Sequence, residues 1–86
     1  MKGGLRVKKI FTRKELCQKL GVSISALEYW RRQGLKPHKG KLGLLEYTSQ
    51  EVYEFLMKCK TSGKYYERFI RYKSFIEEYE EEEELE

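Results

Sequence analysis

The sequence predicts a mainly α-helical domain with one small β-hairpin, closed by a C-terminal helix. Three observations carry this. Two capping boxes, Thr12 with Glu15 and Thr48 with Glu51, each lead into apolar residues at helical spacing. Between them Pro37, Gly40 and Gly43 interrupt the helical pattern ahead of a short strand-favouring run at 44–47. Residues 65–79 then return to helical periodicity with a dense aromatic stripe.

Length and charge set the bounds. Eighty-six residues allow one domain with a modest core, and 40% apolar residues suffice for a globular fold. No apolar run approaches the ~20 residues of a membrane span, and no signal peptide is read. Two cysteines do not make a disulfide framework and suit a reducing, cytoplasmic setting. The net charge of +4 hides a split. All 18 Lys and Arg lie in residues 1–76 beside six Glu, leaving that stretch at +12; residues 77–86 hold eight Glu and no base, or −8. A Lys- and Glu-rich surface of the heat-stable kind explains many charges of both signs but not their segregation. A small domain at +12 suits a polyanion.

Residues 1–9 read as a flexible basic arm whose Arg6, Lys8 and Lys9 suit a phosphate backbone. Ile10 and Phe11 make a short extended stretch beside the first helix. That helix covers about 13–20. Leu16, Cys17 and Leu20 form its apolar face, and Arg13, Lys14 and Lys19 point outward. Arg13 and Lys14 oppose the dipole at the helix start, a conflict that a nearby phosphate relieves.

Gly21 ends the first helix, Val22 plugs the turn and Ser23 caps a second helix. In it Ile24, Leu27 and Trp30 are expected inward, with Ser25, Glu28, Tyr29 and Arg32 on another face, before Gly34 stops it. Two short helices and a tight turn, the second helix entering the major groove, are the helix-turn-helix plan.

Residues 36–47 suit a β-hairpin with a basic tip, carrying Lys36, His38, Lys39 and Lys41. Beside a groove-bound helix, Lys39 and Lys41 would meet the adjacent backbone or minor groove. The next helix, started by Thr48, buries Val52, Phe55 and Leu56, with Tyr53 partly buried, and ends near Cys59. A polar hinge at 60–64 contains the breaker Gly63.

The last helix is expected over 64–84. A seam at Tyr65, Phe69, Tyr72, Ile76 and Tyr79 has heptad spacing. It packs either on its own domain or on a second subunit, which makes homodimerisation an expectation for residues 64–79. Residues 80–86 read as an acidic tail that frays by self-repulsion. The tail is solvated, competes with DNA for the basic face, or contacts a basic partner.

The order of parts matters most: capped helix, Gly-Val-Ser turn, a helix with Leu-x-x-Trp ending in Gly-Leu, basic hairpin, then Tyr-Thr into another capped helix. This resembles the winged helix-turn-helix of the MerR superfamily, in its small excisionase-like branch. The carrying residues are Thr12, Glu15, Leu16, Leu20, Gly21, Val22, Ser23, Leu27, Trp30, Gly34, Leu35, Tyr47, Thr48, Val52 and Phe55. The likeness covers about residues 10–57 of a winged domain spanning 10–60. The DNA-binding domain of phage terminase small subunits is similar.

The resemblance implies that Ser25, Ala26, Glu28 and Tyr29 face the major groove from the second helix, which Ser23 caps. It implies that Arg31 and Arg32 reach phosphates or base edges. Thr12 and Arg13 would hold the backbone, and Lys39 and Lys41, with Lys36 beside them, would serve the wing. Relatives often carry Arg or Lys near positions 25–28, where this chain has Ser, Ala and Glu. Glu28 can accept from a cytosine amino group or pair with Arg32 one turn on. Phosphates are then expected to supply much of the affinity.

Other chemistry finds little support. Cys17 and Trp30 sit at core positions. Cys17, Cys59 and His38 are one ligand short of a closed zinc site, so no metal or other cofactor is expected. No nucleophile–base pair, carboxylate cluster in the folded region or phosphate loop suggests an enzyme, and no small-molecule effector is expected. The functions to weigh are a transcription regulator or excisionase-type recombination factor, a terminase-like packaging component, and a protein-interaction adaptor on the same fold.

Overall fold

The computed structural model describes residues 9–40 and 42–84. Residues 1–8 of the arm expected at 1–9, the wing residue Lys41 and the end of the acidic tail at 85–86 lie outside them; Lys9, the last residue of that arm, is held by Glu78 and Glu82. In chain order the elements are β1 (Ile10–Thr12), α1 (Arg13–Leu20), α2 (Ile24–Gln33), β2 (His38–Lys39), β3 (Leu45–Thr48), α3 (Ser49–Lys60), α4 (Tyr66–Arg71) and α5 (Lys73–Glu84). The architecture is mainly helical with a three-stranded antiparallel sheet.

Local chemistry fixes the helix boundaries. The Thr12 hydroxyl accepts from the Glu15 amide at 3.2 Å, and the Glu15 carboxylate accepts from the Thr12 amide at 2.9 Å. Thr48 and Glu51 repeat the arrangement at the start of α3. Ser23 caps α2 by accepting from the Ala26 amide at 3.1 Å. Each such cap contributes about 1 kcal/mol. Gly21 closes α1 at φ 72°, a conformation that strains any residue with a Cβ.

The sheet order is β1-β3-β2. Ile10, Phe11 and Thr12 pair with Thr48, Tyr47 and Glu46; His38 and Lys39 pair with Glu46 and Leu45. Ile10 and Phe11, expected only to be extended, therefore form with Thr12 a full edge strand. The Ser49 amide donates to the Lys9 carbonyl at 2.8 Å and extends that pairing.

The core gathers Leu16, Leu27, Leu35, Tyr47, Val52 and Leu56, all fully buried. Trp30 packs between Phe55, at 5.7 Å between ring centres, and Tyr72, edge-on at 5.3 Å. Phe75 meets Phe11 at 6.4 Å, so α5 closes the core over β1.

Several expectations change. The last helix is not continuous over 64–84 but breaks at Tyr72 into α4 and α5. Phe75 lies about 120° around from the seam that Phe69 and Ile76 share, so one straight rod cannot bury all three against one surface. The break lets Tyr72 dock on Trp30 while the two segments fold around α3. Phe69, Ile76 and Tyr79 are buried and Tyr65 and Tyr72 half-buried, so the seam packs on its own domain. The acidic end does not fray before Glu84. Glu78 and Glu82 pair with Lys9, Glu78 also with Lys19, and this offsets the repulsion.

Ile24 is 44% exposed rather than inward. It opens α2, in a first turn ahead of the residues that Leu27 and Trp30 anchor. No helix among the described residues is long and apolar enough to cross a membrane.

Candidate nucleic-acid interface

The caps of α1 and α2 decide which side chains point out. Ser25, Tyr29 and Arg32 are exposed on α2, while Ala26, Glu28 and Arg31 are half-buried beside them. Glu28 does not pair with Arg32. Its carboxylate accepts from Arg13, fifteen residues back, at 3.2 Å, and from Arg31 at 3.4 Å. Arg31 is one turn away on the same helix, and the packing of α1 on α2 brings Arg13 within reach. Arg32 makes no ion pair among the described residues and stays exposed.

Strand register ties the hairpin to this cluster. Thr12 and His38 both lie opposite Glu46, on the two sides of β3. Two strand spacings, about 10 Å, therefore separate the cap of α1 from the hairpin base. Lys36, His38 and Lys39 are exposed there. The His38 ring meets the Glu51 carboxylate at 3.5 Å, so the hairpin base also touches the start of α3. At the tip Gly43 takes φ 80°, and Leu42 and Leu44 project outward.

Thr12, Arg13, Glu28, Arg31 and the hairpin base thus come together. Ser25, Tyr29 and Arg32 share the exposed side of α2. The residues expected to self-associate are spent on the core.

Sequence reading missed the contribution of α4 and of the turn before it, which holds Lys64. Lys64, Arg68 and Arg71 stand with Ala26, Trp30 and Tyr65 around an open cleft of about 310 Å³. The Arg68 guanidinium lies 5.0 Å from the Trp30 ring, 5.5 Å from Phe55 and 4.8 Å from Tyr65. A hydrogen bond with Tyr29, helped by Lys64 and Arg68, holds the Tyr65 phenol below its ordinary pKa. The spacing of Lys64, Arg68 and Arg71, four then three, was a signal of a basic helix face, masked by the aromatic seam between them.

Two buried groups belong to the scaffold. Burial pushes the Cys17 thiol up, so it behaves as a small apolar residue. Burial does the same to Tyr47, whose hydroxyl has no hydrogen-bond partner among the described residues. No group of three metal-ligating side chains occurs among the described residues. Compared with family models, curated proteins and solved structures, the chain matches none.

Proposed function

We propose that this protein binds double-stranded DNA as a winged helix-turn-helix of the excisionase-like kind. In this proposal α2 enters the major groove and the β2–β3 hairpin is the wing on the adjacent backbone or minor groove. Ser25, Ala26, Glu28 and Tyr29 face base edges, Arg32 and Arg31 reach phosphates, and Thr12 and Arg13 hold the backbone at the start of α1. Lys36 and Lys39 serve the wing. The role is a small transcription regulator or a recombination factor, in the cytoplasm and without a cofactor.

The observation that supports it best is the linkage of parts. One carboxylate, Glu28, joins Arg13 of α1 to Arg31 of α2. One strand residue, Glu46, sits opposite both the α1 cap and the hairpin base. Basic groups from three elements therefore lie within a short reach of each other, with the exposed side of α2 beside them. Glu28 also keeps two guanidiniums ordered without discharging them, because such exposed pairs contribute only ~0–1 kcal/mol. Phosphates can then displace it cheaply.

The test is binding to random-sequence duplex DNA across a salt series. Steep loss of affinity with salt is expected from phosphate contacts. Absence of binding in dilute buffer contradicts the proposal and leaves an adaptor for an acidic protein.

A further inference from the structure

The most exposed large apolar side chain in the described structure is at the tip of a basic hairpin. Leu42 is 87% exposed and Leu44 57%. Neither exposure is an accident of a loose loop. The Gly40 amide donates to the Leu44 carbonyl at 2.8 Å and the Gly43 amide to the Gly40 carbonyl at 3.1 Å, which closes a tight turn. The Glu46 carboxylate folds against Gly40 on the side where a Cβ would otherwise sit. Ser, Asn or Thr would suit a solvated tip equally well, whereas two leucines lose free energy in water.

We infer that Leu42, backed by Leu44, is a wedge that enters a base step of duplex DNA from the minor groove. The inference rests on the DNA-binding proposal above and adds how the wing acts. The minor groove is about 6 Å wide, too narrow for the body of a two-stranded ribbon but open to a side chain at its tip. Apolar side chains inserted there unstack a step and kink the duplex. The occupant is set by charge: exposed Lys39 leads into the tip and exposed Lys36 stands at the hairpin base, both placed to meet phosphates along the groove wall. A leucine in the groove leaves water for the faces of two base pairs.

The wedge also accounts for α2. Its positions proposed to face base edges, exposed Ser25 and Tyr29 with half-buried Ala26 and Glu28, carry no guanidinium or ammonium group and are a weak set for clasping bases. Unstacking a step reads deformability instead, so flexible pyrimidine–purine steps are preferred without a hydrogen bond to any base.

The test uses the full chain on a duplex with a central TA step, 2-aminopurine beside it and a dye pair at the ends. Wild type is expected to raise the 2-aminopurine emission at least twofold and to shorten the end-to-end distance. Leu42→Ser/Leu44→Ser, altered only at exposed positions, keeps every phosphate contact and is read at saturating protein in dilute salt, so a change in affinity does not enter the comparison. It should lose both signals, and Leu42→Phe should keep them. Binding by wild type with neither signal, or both signals undiminished in the double variant, overturns the wedge alone. No binding by wild type overturns the wedge together with the proposal beneath it. Vesicles rich in phosphatidylserine are the counter-arm: leucine-dependent binding to them, with the DNA signals unchanged in the double variant, overturns the wedge in favour of a membrane surface.

Discussion

Lys19 on α1 donates to Glu78 on α5 at 3.1 Å, across 59 residues of chain. The same carboxylate accepts from Lys9 at 3.1 Å, and Glu82 one turn on also pairs with Lys9. The acidic end of the chain is thus a latch on the edge of the basic domain. It holds Lys9 and Lys19, which under the DNA-binding proposal would otherwise be open to phosphates.

Opening the latch should have two effects of opposite sign. Glu78→Gln/Glu82→Gln is expected to lower stability by about 1 kcal/mol, because the pairs are partly exposed and each is worth ~0–1 kcal/mol. It should also tighten non-specific DNA binding severalfold in dilute salt and steepen the salt dependence. Urea melts and duplex titrations read the two effects separately. Stability falling with unchanged DNA affinity would make the latch purely structural.

The latch has a defined pH window. Lys19 and then Lys9 hold the Glu78 carboxyl below its ordinary value of 4.5, so its contribution is complete above that value and is lost as pH falls through the lowered pKa. Hydrogen bonds to Glu82 and Glu78 hold Lys9 above its ordinary 10.5, so its contribution is complete below that value and is lost as pH rises through the raised pKa. Urea midpoints of wild type and Glu78→Gln should differ by a constant amount between about pH 5 and pH 10. The difference should shrink in acid. A constant difference down to pH 2 would contradict the assignment.

Tyr47 offers a test of the core. Its ring is fully buried and its hydroxyl has no partner among the described residues. An unpaired buried hydroxyl costs about 1–3 kcal/mol. Tyr47→Phe should therefore leave the melting temperature unchanged or raise it. A loss of more than about 1 kcal/mol would mean that the hydroxyl has a partner.

Arg32 isolates the proposed interface from the fold. It is exposed and makes no ion pair among the described residues. Arg32→Ala should stay within about 0.5 kcal/mol of wild type in stability. It should reduce the slope of log affinity against log salt by about 0.9, one phosphate's share. Arg31→Ala should do the same while leaving Glu28 paired with Arg13 alone. Unchanged slopes in both would move α2 out of the groove.

What could be read in advance was whatever is settled within one helical turn. The boxes at Thr12 and Thr48, the Ser23 cap and the Gly21 stop each join residues three or four apart. Long-range partners were invisible. Nothing near Ile10–Thr12 says that it pairs with Glu46–Thr48, and nothing near Glu28 points to Arg13 rather than Arg32. The break at Tyr72 has no Gly or Pro to announce it; packing on Trp30 makes it. The basic groups of α2 and the hairpin were legible as charges at exposed positions. Lys64, Arg68 and Arg71 joined them only once α4 was seen to lie against α2.

The central claim is that phosphates meet Arg13, Arg31, Arg32, Lys36 and Lys39 together. The most direct measurement is fluorescence anisotropy of a labelled random-sequence duplex, titrated with the full chain between 20 and 200 mM salt (on the order of a tenfold range). Five phosphate contacts predict a slope of about −4.5 in log affinity against log salt, reduced in magnitude by about 0.9 in Arg32→Ala. A flat titration, or no binding at the lowest salt by either wild type or Glu78→Gln/Glu82→Gln, would contradict it.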